Sequence, residues 1–343
     1  MKMTRQALFL AWIGALLVLA GCSAGKAVEK NKDGYEKVEL KYQGYAGVVT
    51  YPELAEDLGY LGPIKLNWVG NVNGGPQDIQ TAATGQTDFG GAFNGAIIKL
   101  KSSGAPIKAV LGYYGSDEET FVGYYTLEGS SIKDARDLIG KKIGVNTLGA
   151  HFELVLKEYL KQNGLTDDEI KQVTLVVVPP GNAEQTLRQK QIDVVALNGA
   201  ARDRALDNGG LSKVFSDYDL FGTFTAGSIV FTEKFIKENP NTVKKFVEGT
   251  AKAIEWSRIT PREEVIARFE SIIEKRDRKE DSETVQYWKS PGVAAKGGYI
   301  KESEFQVWAD WLAENGEIKK DQVKLDDLYT NEFNPFTKEF ETK

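Results

Sequence analysis

The chain has 343 residues, 41% of them hydrophobic and 27% charged, with 43 Lys and Arg against 49 Asp and Glu and a formal net charge of −6. That length suits two lobes rather than one simple core, and an acidic chain without a basic tract is a poor candidate for nucleic acid, which demands clustered Lys and Arg. With one histidine, His151, and one cysteine, Cys22, neither a cysteine–histidine zinc site nor a multi-histidine catalytic metal site can be assembled, and a Ser-His-Asp triad would have to use His151 itself.

The N-terminus carries Lys2 and Arg5 and then a wholly apolar or small run over residues 7–20. The run is too short to span a bilayer, which takes ~20 residues in a helix, so residues 1–21 read as an export signal. The run closes on Leu19-Ala20-Gly21-Cys22, which resembles the lipobox of bacterial lipoproteins. That resemblance implies lipidation of Cys22 and a protein tethered to the outer face of a cell membrane. The alternative is an ordinary secretory signal with an incidental cysteine. Residues 22–35 are mostly polar and aperiodic, as in a flexible tether.

Strands then alternate with helices. Strands are expected at Val38–Tyr42, Ile64–Val69, Thr87–Ala92, Ile107–Tyr113 and Phe121–Tyr125, with helices over Tyr51–Leu58, Asp78–Thr84 and Ala96–Ser102. The pattern restarts with a strand at Lys141–Asn146, an amphipathic helix over residues 151–163 and a strand at Val173–Val178. The last of these is apolar except for Thr174, as for a strand buried on both faces. A helix over Ala183–Gln191 and strands at Asp193–Leu197 and Ser228–Phe231 follow, and the C-terminal third reads as helical. There Val243, Phe246, Val247, Ala251 and Ile254 mark one apolar face, and Phe305, Trp308 and Leu312 mark another. Trp256 and Trp308 read as core. Such alternation predicts an α/β fold with largely parallel sheets.

Five strand-to-helix junctions are rich in Gly and Asn: Gly70–Pro76, Phe93–Gly95, Thr147–His151, Pro179–Asn182 and Asn198–Gly199. Open α/β sheets bind ligands beyond the carboxyl ends of their strands, where helix N-termini offer unpaired N–H groups. Tight turns also favour Gly and Asn, but recurrence in both halves points to a cleft between two lobes. His151 is the sharpest single candidate: at a helix N-terminus a neutral ring donating one hydrogen bond is expected. Tyr45, Tyr113 and Tyr114 could stack on a planar ligand. The acidic run Ser116-Asp117-Glu118-Glu119 reads as a solvated loop, or as the partner of a cationic ligand group if it faces the cleft.

Gly75-Pro76-Gln77 followed by Thr84-Gly85-Gln86-Thr87-Asp88-Phe89-Gly90 resembles periplasmic binding proteins for nitrate, sulfonate, taurine and thiamin-pyrimidine precursors. Ser131–Val145, Gln189–Ala196 and Asp327–Phe333 are similar to later elements of the same family, so the likeness runs from about residue 36 to 335. It implies a two-lobe periplasmic-binding-protein fold of type II, each lobe a mostly parallel sheet flanked by helices, with two crossing strands as hinge. The crossings are placed near Tyr124-Tyr125 and Thr225-Ala226. Lobe one is then 36–123 plus 226–343, and lobe two 124–225.

Carried over residue by residue, the ligand-facing positions are Gln43, Gly44, Tyr45, Gly75, Pro76, Asn94, Gly95, Gly149, Ala150, His151 and Asn198, with Gly199 beside the last. Sulfonate and taurine binders have a Trp-Asp-Pro-like segment where this chain has Asn198-Gly199-Ala200. The serine-rich junction of their second lobe is here Leu148-Gly149-Ala150-His151. The resemblance implies a monomeric, membrane-tethered solute-binding component of an ABC importer. It would capture a small organic ligand of the sulfonate, taurine or nitrate class and deliver it to the permease and its ATPase, with no cofactor, no metal and no chemistry of its own. The alternatives are a binder of a thiamin-pyrimidine precursor or another small heteroaromatic, an exported carboxylate-dependent enzyme on the same scaffold, and a sensory or adhesive lipoprotein that feeds no transporter.

Overall fold

A computed structural model describes residues 34–341; the expected signal peptide, Cys22 and nearly all of the tether lie outside them. In chain order the elements are β1 (Glu39–Gly44), α1 (Tyr51–Asp57), β2 (Lys65–Asn71), α2 (Gly75–Ala83), β3 (Phe89–Phe93), α3 (Asn94–Ser102), β4 (Ile107–Ser116) and β5 (Val122–Leu127). Then come β6 (Lys142–Val145), α4 (His151–Gln162), α5 (Asp167–Ile170), β7 (Thr174–Val177), α6 (Ala183–Arg188), β8 (Val194–Asn198), α7 (Gly199–Asp207), β9 (Leu211–Ser216) and α8 (Asp217–Phe221). The chain ends with β10 (Phe224–Thr232), α9 (Glu233–Glu238), α10 (Pro240–Ile259), α11 (Arg262–Lys275), α12 (Ser303–Glu314), α13 (Leu325–Leu328) and α14 (Thr337–Glu341).

The strands form a parallel pair β1-β2, an antiparallel sheet in the order β3-β10-β4 and a five-stranded sheet in the order β7-β6-β8-β5-β9. The pair and the three-stranded sheet are joined where Asp88 N–H, at the approach to β3, donates to Lys41 O of β1 at 2.8 Å. In the five-stranded sheet β6 runs parallel to β7 and β8, whereas β5 is antiparallel to β8 and β9. The expected largely parallel sheets are therefore mixed. β5 and β10 are the reason, because each is reached by a short link across the molecule rather than by a helical crossover on the same sheet.

β9 has no counterpart in the sequence-based expectation, its Leu-Ser-Lys-Val-Phe-Ser alternating too weakly to stand out. Nor is β7 buried on both faces: it forms the edge of its sheet, and Val177 is 55% exposed. An apolar run fits a covered strand and an edge strand beside a cleft equally well. The apolar faces expected on α10 and α12 are the buried ones, with Val243, Phe246, Val247, Ala251 and Ile254 on the first and Phe305, Trp308 and Leu312 on the second. Trp308 is fully in the core, with its ring edge-on to Phe93 at 4.7 Å, and Trp256 is partly exposed at the rim of the neighbouring cluster.

The strand changes fall earlier than expected. Tyr124 and Tyr125 lie inside β5, and Thr225 and Ala226 inside β10, so the chain passes between sheets over residues 117–121 and again between Ser216 and Phe224. Both links are pinned by buried charge. Arg202 is 2% exposed; its guanidinium donates to Glu119 O at 2.6 Å and Phe121 O at 3.1 Å, lies 3.8 Å above the Phe121 ring, and pairs with Asp203. Asp217, fully buried at the start of α8, accepts from Val122 N–H at 2.9 Å just past the first link. Asp117 takes the N–H groups of Glu119 and Thr120 and the Ser290 hydroxyl. Asp117 is thus spent on its own turn, and Glu118 and Glu119 are exposed.

Truncating one partner of a buried, hydrogen-bonded charge pair leaves the other unpaired, which costs about 3–5 kcal/mol. Arg202→Ala is expected to lose stability on that scale in urea unfolding. Arg136→Ala, whose pair with Glu169 sits at the surface with the arginine side chain 63% exposed, is expected to stay within about 0.5 kcal/mol.

Candidate functional site: a cleft between two sheets

Between the three- and five-stranded sheets lies a cleft of about 660 Å³. Its walls are largely apolar and aromatic, with Tyr45, Tyr51, Phe93, Tyr113, Tyr114, Phe269 and Trp288 all contributing. Arg204 is the one Lys or Arg among its lining residues, and no Asp or Glu lines it. Three helices of nine or more residues open into it by their N-termini, namely α2 at Gly75 and Pro76, α4 at His151, and α7 at Gly199. None of the three has a side-chain cap: Gly74, Ala150 and Asn198 occupy the capping positions without bonding the first turn. Unpaired N–H groups with a positive dipole end suit an acceptor or anionic group on a ligand.

The two sides approach closely. A Cβ on Gly74 would lie 3.0 Å from Thr147 Cγ2 on the opposite side, so a larger residue there would hold the walls apart. On the floor, a Cβ on Gly91 would fall 2.7 Å from the Tyr113 ring. Only glycine leaves room for that ring against β3. Burial pushes the Tyr45 and Tyr113 hydroxyls up from their ordinary range. They remain neutral donors and acceptors.

Of the residues singled out from sequence, Tyr45, Gly75, Pro76, Ala150, His151, Asn198 and Gly199 line the cleft, as do Tyr113 and Tyr114. Gln43, Gly44, Asn94, Gly95 and Gly149 are not among its lining residues. Asn94 is fully buried: its amide donates to Glu304 O at 3.1 Å and accepts from the Ser228 hydroxyl at 2.8 Å. Its polarity serves the junction of α3, β10 and α12, and the expected ligand contact is corrected to that structural one. Gln43 accepts from Thr81. Gly44 packs against Trp68 and Arg278, Gly95 against Phe93 and Leu154, and the Gly149 N–H is taken by Glu153 at 2.8 Å.

Asn71, Asn73, Asn146 and Thr147 also line the cleft, and all sit in or beside the Gly- and Asn-rich junctions, so that signal was present. Nothing in a strand-to-helix pattern marks Phe269, Trp288, Ser290 or Pro291. These come from the C-terminal third folding back over the mouth.

His151 is 4% exposed, its ring stacked on Phe93 at 5.0 Å and 12°. Its Nε2 lies 3.2 Å from Asp217 Oδ2, but off the line of a hydrogen bond, so both ring nitrogens and Oδ2 lack a hydrogen-bond partner. Asp78, 4% exposed in the first turn of α2, accepts from Gly91 N–H at 2.7 Å through Oδ2, while Oδ1 has no partner. Burial raises the Asp78 carboxyl to about 7, against a smaller lowering by the Gly91 hydrogen bond.

The chain matches the family described as NMT1/THI5 like over residues 55–264. It belongs to that family. A relative from Candida albicans (strain WO-1), 25% identical over 293 residues and covering 82% of each chain, is named 4-amino-5-hydroxymethyl-2-methylpyrimidine phosphate synthase. A Bacillus subtilis (strain 168) protein named for aliphatic sulfonate binding is 24% identical over 248 residues, 72% of each chain. Among solved structures, the periplasmic aliphatic sulphonate binding protein SsuA from Escherichia coli shares the fold with a TM-score of 0.64 at 20% identity, over 85% of this chain and 91% of that one. This member of the NMT1/THI5-like family therefore has the periplasmic-binding-protein fold. Among the described residues no helix is long and apolar enough to cross a membrane, and no cluster of His, Cys, Asp and Glu could hold a metal.

A carboxyl whose folded value is raised adds stability that is complete below its unfolded value near 4 and is lost as pH rises through about 7. Asp78→Asn keeps an acceptor for Gly91 N–H and removes the titration. The variant is expected to gain on wild type between about pH 4 and pH 8, by an amount on the order of 4 kcal/mol at most. Urea unfolding of both proteins across that range is the measurement.

Proposed function

We propose that this protein is the solute-binding component of an ABC importer, tethered outside the cell membrane through lipid on Cys22, that captures a small organic ligand and passes it to the permease. The observation that carries the reading is the cleft itself. Uncapped helix N-termini from both sides converge on an aromatic, carboxylate-free chamber, an arrangement suited to binding an acceptor-bearing or anionic solute. Tyr45, Gly75, Pro76, Ala150, His151 and Asn198 contact the ligand. The relatives named for sulfonate binding support the class, so sulfonate, taurine and nitrate are the first ligands to try, with pyrimidine precursors and other small heteroaromatics beside them. The chain acts as a monomer whose two lobes close on the ligand about the links at 117–121 and 217–223.

A second reading, an exported enzyme on the same scaffold, is favoured by the synthase-named relative at 25% identity. Turnover separates the two.

A thermal-shift screen over those ligand classes tests the proposal. A ligand present at 100 times its dissociation constant stabilises the fold by about 2.7 kcal/mol, and small-angle scattering should show compaction with it. Mass spectrometry of the ligand after incubation should show it unchanged; consumption would favour the enzyme, and no stabilisation by any class would overturn solute capture. For the anchor, labelling with a fatty-acid analogue should mark wild type and leave Cys22→Ala unmarked. Equal labelling of both would remove the lipid tether from the proposal.

A further inference from the structure

Asn-Gly is the step at which a protein chain most readily loses ammonia, because a glycine nitrogen, unscreened by a side chain, can reach the asparagine amide carbon. The chain has six such steps, at Asn73, Asn94, Asn163, Asn198, Asn208 and Asn315, and the fold treats them differently. Asn94 is fully buried, with its amide nitrogen and oxygen both bonded. Asn163, Asn208 and Asn315 close the C-termini of α4, α7 and α12. Their side-chain nitrogens donate to Tyr159 O at 2.8 Å, Glu184 Oε1 at 2.9 Å and Trp311 O at 2.7 Å. The glycine N–H of each step is bonded as well, Gly164 to Lys161 O, Gly209 to Leu206 O and Gly316 to Ala313 O. A bonded N–H gives up its proton slowly, and a bonded amide cannot turn to meet it. Asn73 and Asn198 are held by neither restraint. Both are exposed, and among the described residues neither side chain has a hydrogen-bond partner. Gly74 and Gly199 stand at the uncapped starts of α2 and α7, where a helix gives its N–H groups no acceptor. These two steps line the cleft, and the four shielded asparagines do not.

We propose that Asn73-Gly74 and Asn198-Gly199 are sites of spontaneous deamidation, a modification that puts carboxylates into the cleft. The glycine nitrogen loses its proton to solvent base and attacks the asparagine Cγ. A bond forms between them, the Cγ–Nδ2 bond breaks, and Nδ2 leaves as ammonia. Water then opens the cyclic imide at either carbonyl, giving aspartate or isoaspartate. No Asp or Glu lines the cleft, so each event changes the character of its wall. At Asn198, the N-cap position of α7, aspartate caps the first turn and takes up N–H groups otherwise open to the cleft. At Asn73, isoaspartate adds a backbone methylene beside Gly74, where a Cβ would already lie 3.0 Å from Thr147 Cγ2. The modification belongs to the wall itself and holds whether or not the cleft captures a solute.

Peptide mapping by mass spectrometry tests the assignment without any ligand. The full chain is kept for weeks in warm, mildly alkaline buffer, with a parallel sample in urea, and fragmentation separates Asn73 from Asn94 where one peptide holds both. In urea all six steps should convert at comparable rates. In the folded protein Asn73 and Asn198 should convert about ten-fold faster than the other four, which react only during the fraction of time that their bonds are open. Equal rates at all six in the folded protein, or faster conversion at any of the shielded four, overturns the assignment. Either cleft step that stays intact while converting in urea is not a site. The aspartate product is tested separately in Asn198→Asp, which should melt at or above wild type. A lower melting temperature, or failure to fold, would overturn the capping of α7.

Discussion

Two links join the sheets, and the molecule depends on both being held at one place. Asp217 sits there with no solvent exposure. Its Oδ1 fixes Val122 as the chain leaves the first link, its backbone begins the helix that leads into the second, and its Oδ2 faces the cleft histidine. Arg202 does the same work from the other side, holding two carbonyls of the first link against α7, one turn from the Asn198–Gly199 end that lines the cleft. A buried charge unpaired is expensive, and a buried charge fully engaged defines one geometry. Both links are therefore fixed at their anchors, and Gly222, with its φ of 65°, turns the chain between α8 and β10.

Away from the links the sides share an apolar core, with the His151 ring stacked on Phe93 at 5.0 Å, and meet in two further ways. At the cleft the contact is steric, with Gly74 against Thr147. At the back the contact is polar and partly exposed: Lys157 on α4 approaches Glu317 at 3.6 Å, while Trp311 Nε1 donates to Glu158 at 2.8 Å. Exposed pairs add little stability and are screened by salt. The glycine contact sets how closely the two sides approach.

How far the sequence could be read followed the range of the forces involved. Period-two and period-3.6 patterns are local, so every strand but β9 was legible, as were α1 to α4, α6 and the buried faces of α10 and α12. The short α5, α7 and α8 had no counterpart in the sequence reading. The Gly and Asn junctions identified the cleft end of the sheets for the same reason. Asn94 shows the limit, since a polar residue after a strand reads the same whether it faces a ligand or Ser228 and Glu304, which lie 134 and 210 residues away. The position of Val177 on an edge strand, and the return of Phe269 and Trp288 over the mouth, are likewise set by long-range packing that leaves no local trace. Arg202 and Asp217 look like any charged helical residues until the links they hold are seen.

One regularity accounts for the contrast between an acidic chain and a cleft without acids. The carboxylates nearest the site stand one layer behind its wall, each bonded to a backbone N–H: Asp78 to Gly91, Glu153 to Gly149, Asp217 to Val122 and Glu280 to Gly47. The last belongs to a buried cluster in which Glu53 and Glu280 meet Arg276 and Arg278, and Arg276 also donates to Val48 O at 3.1 Å. That cluster fixes the loop from Tyr45 to Thr50, which forms part of the mouth. Charge-assisted bonds of this kind are short and directional, so the acids set the shape of the wall without presenting negative charge to what enters. The surface left to a ligand is then donor-rich and rigid.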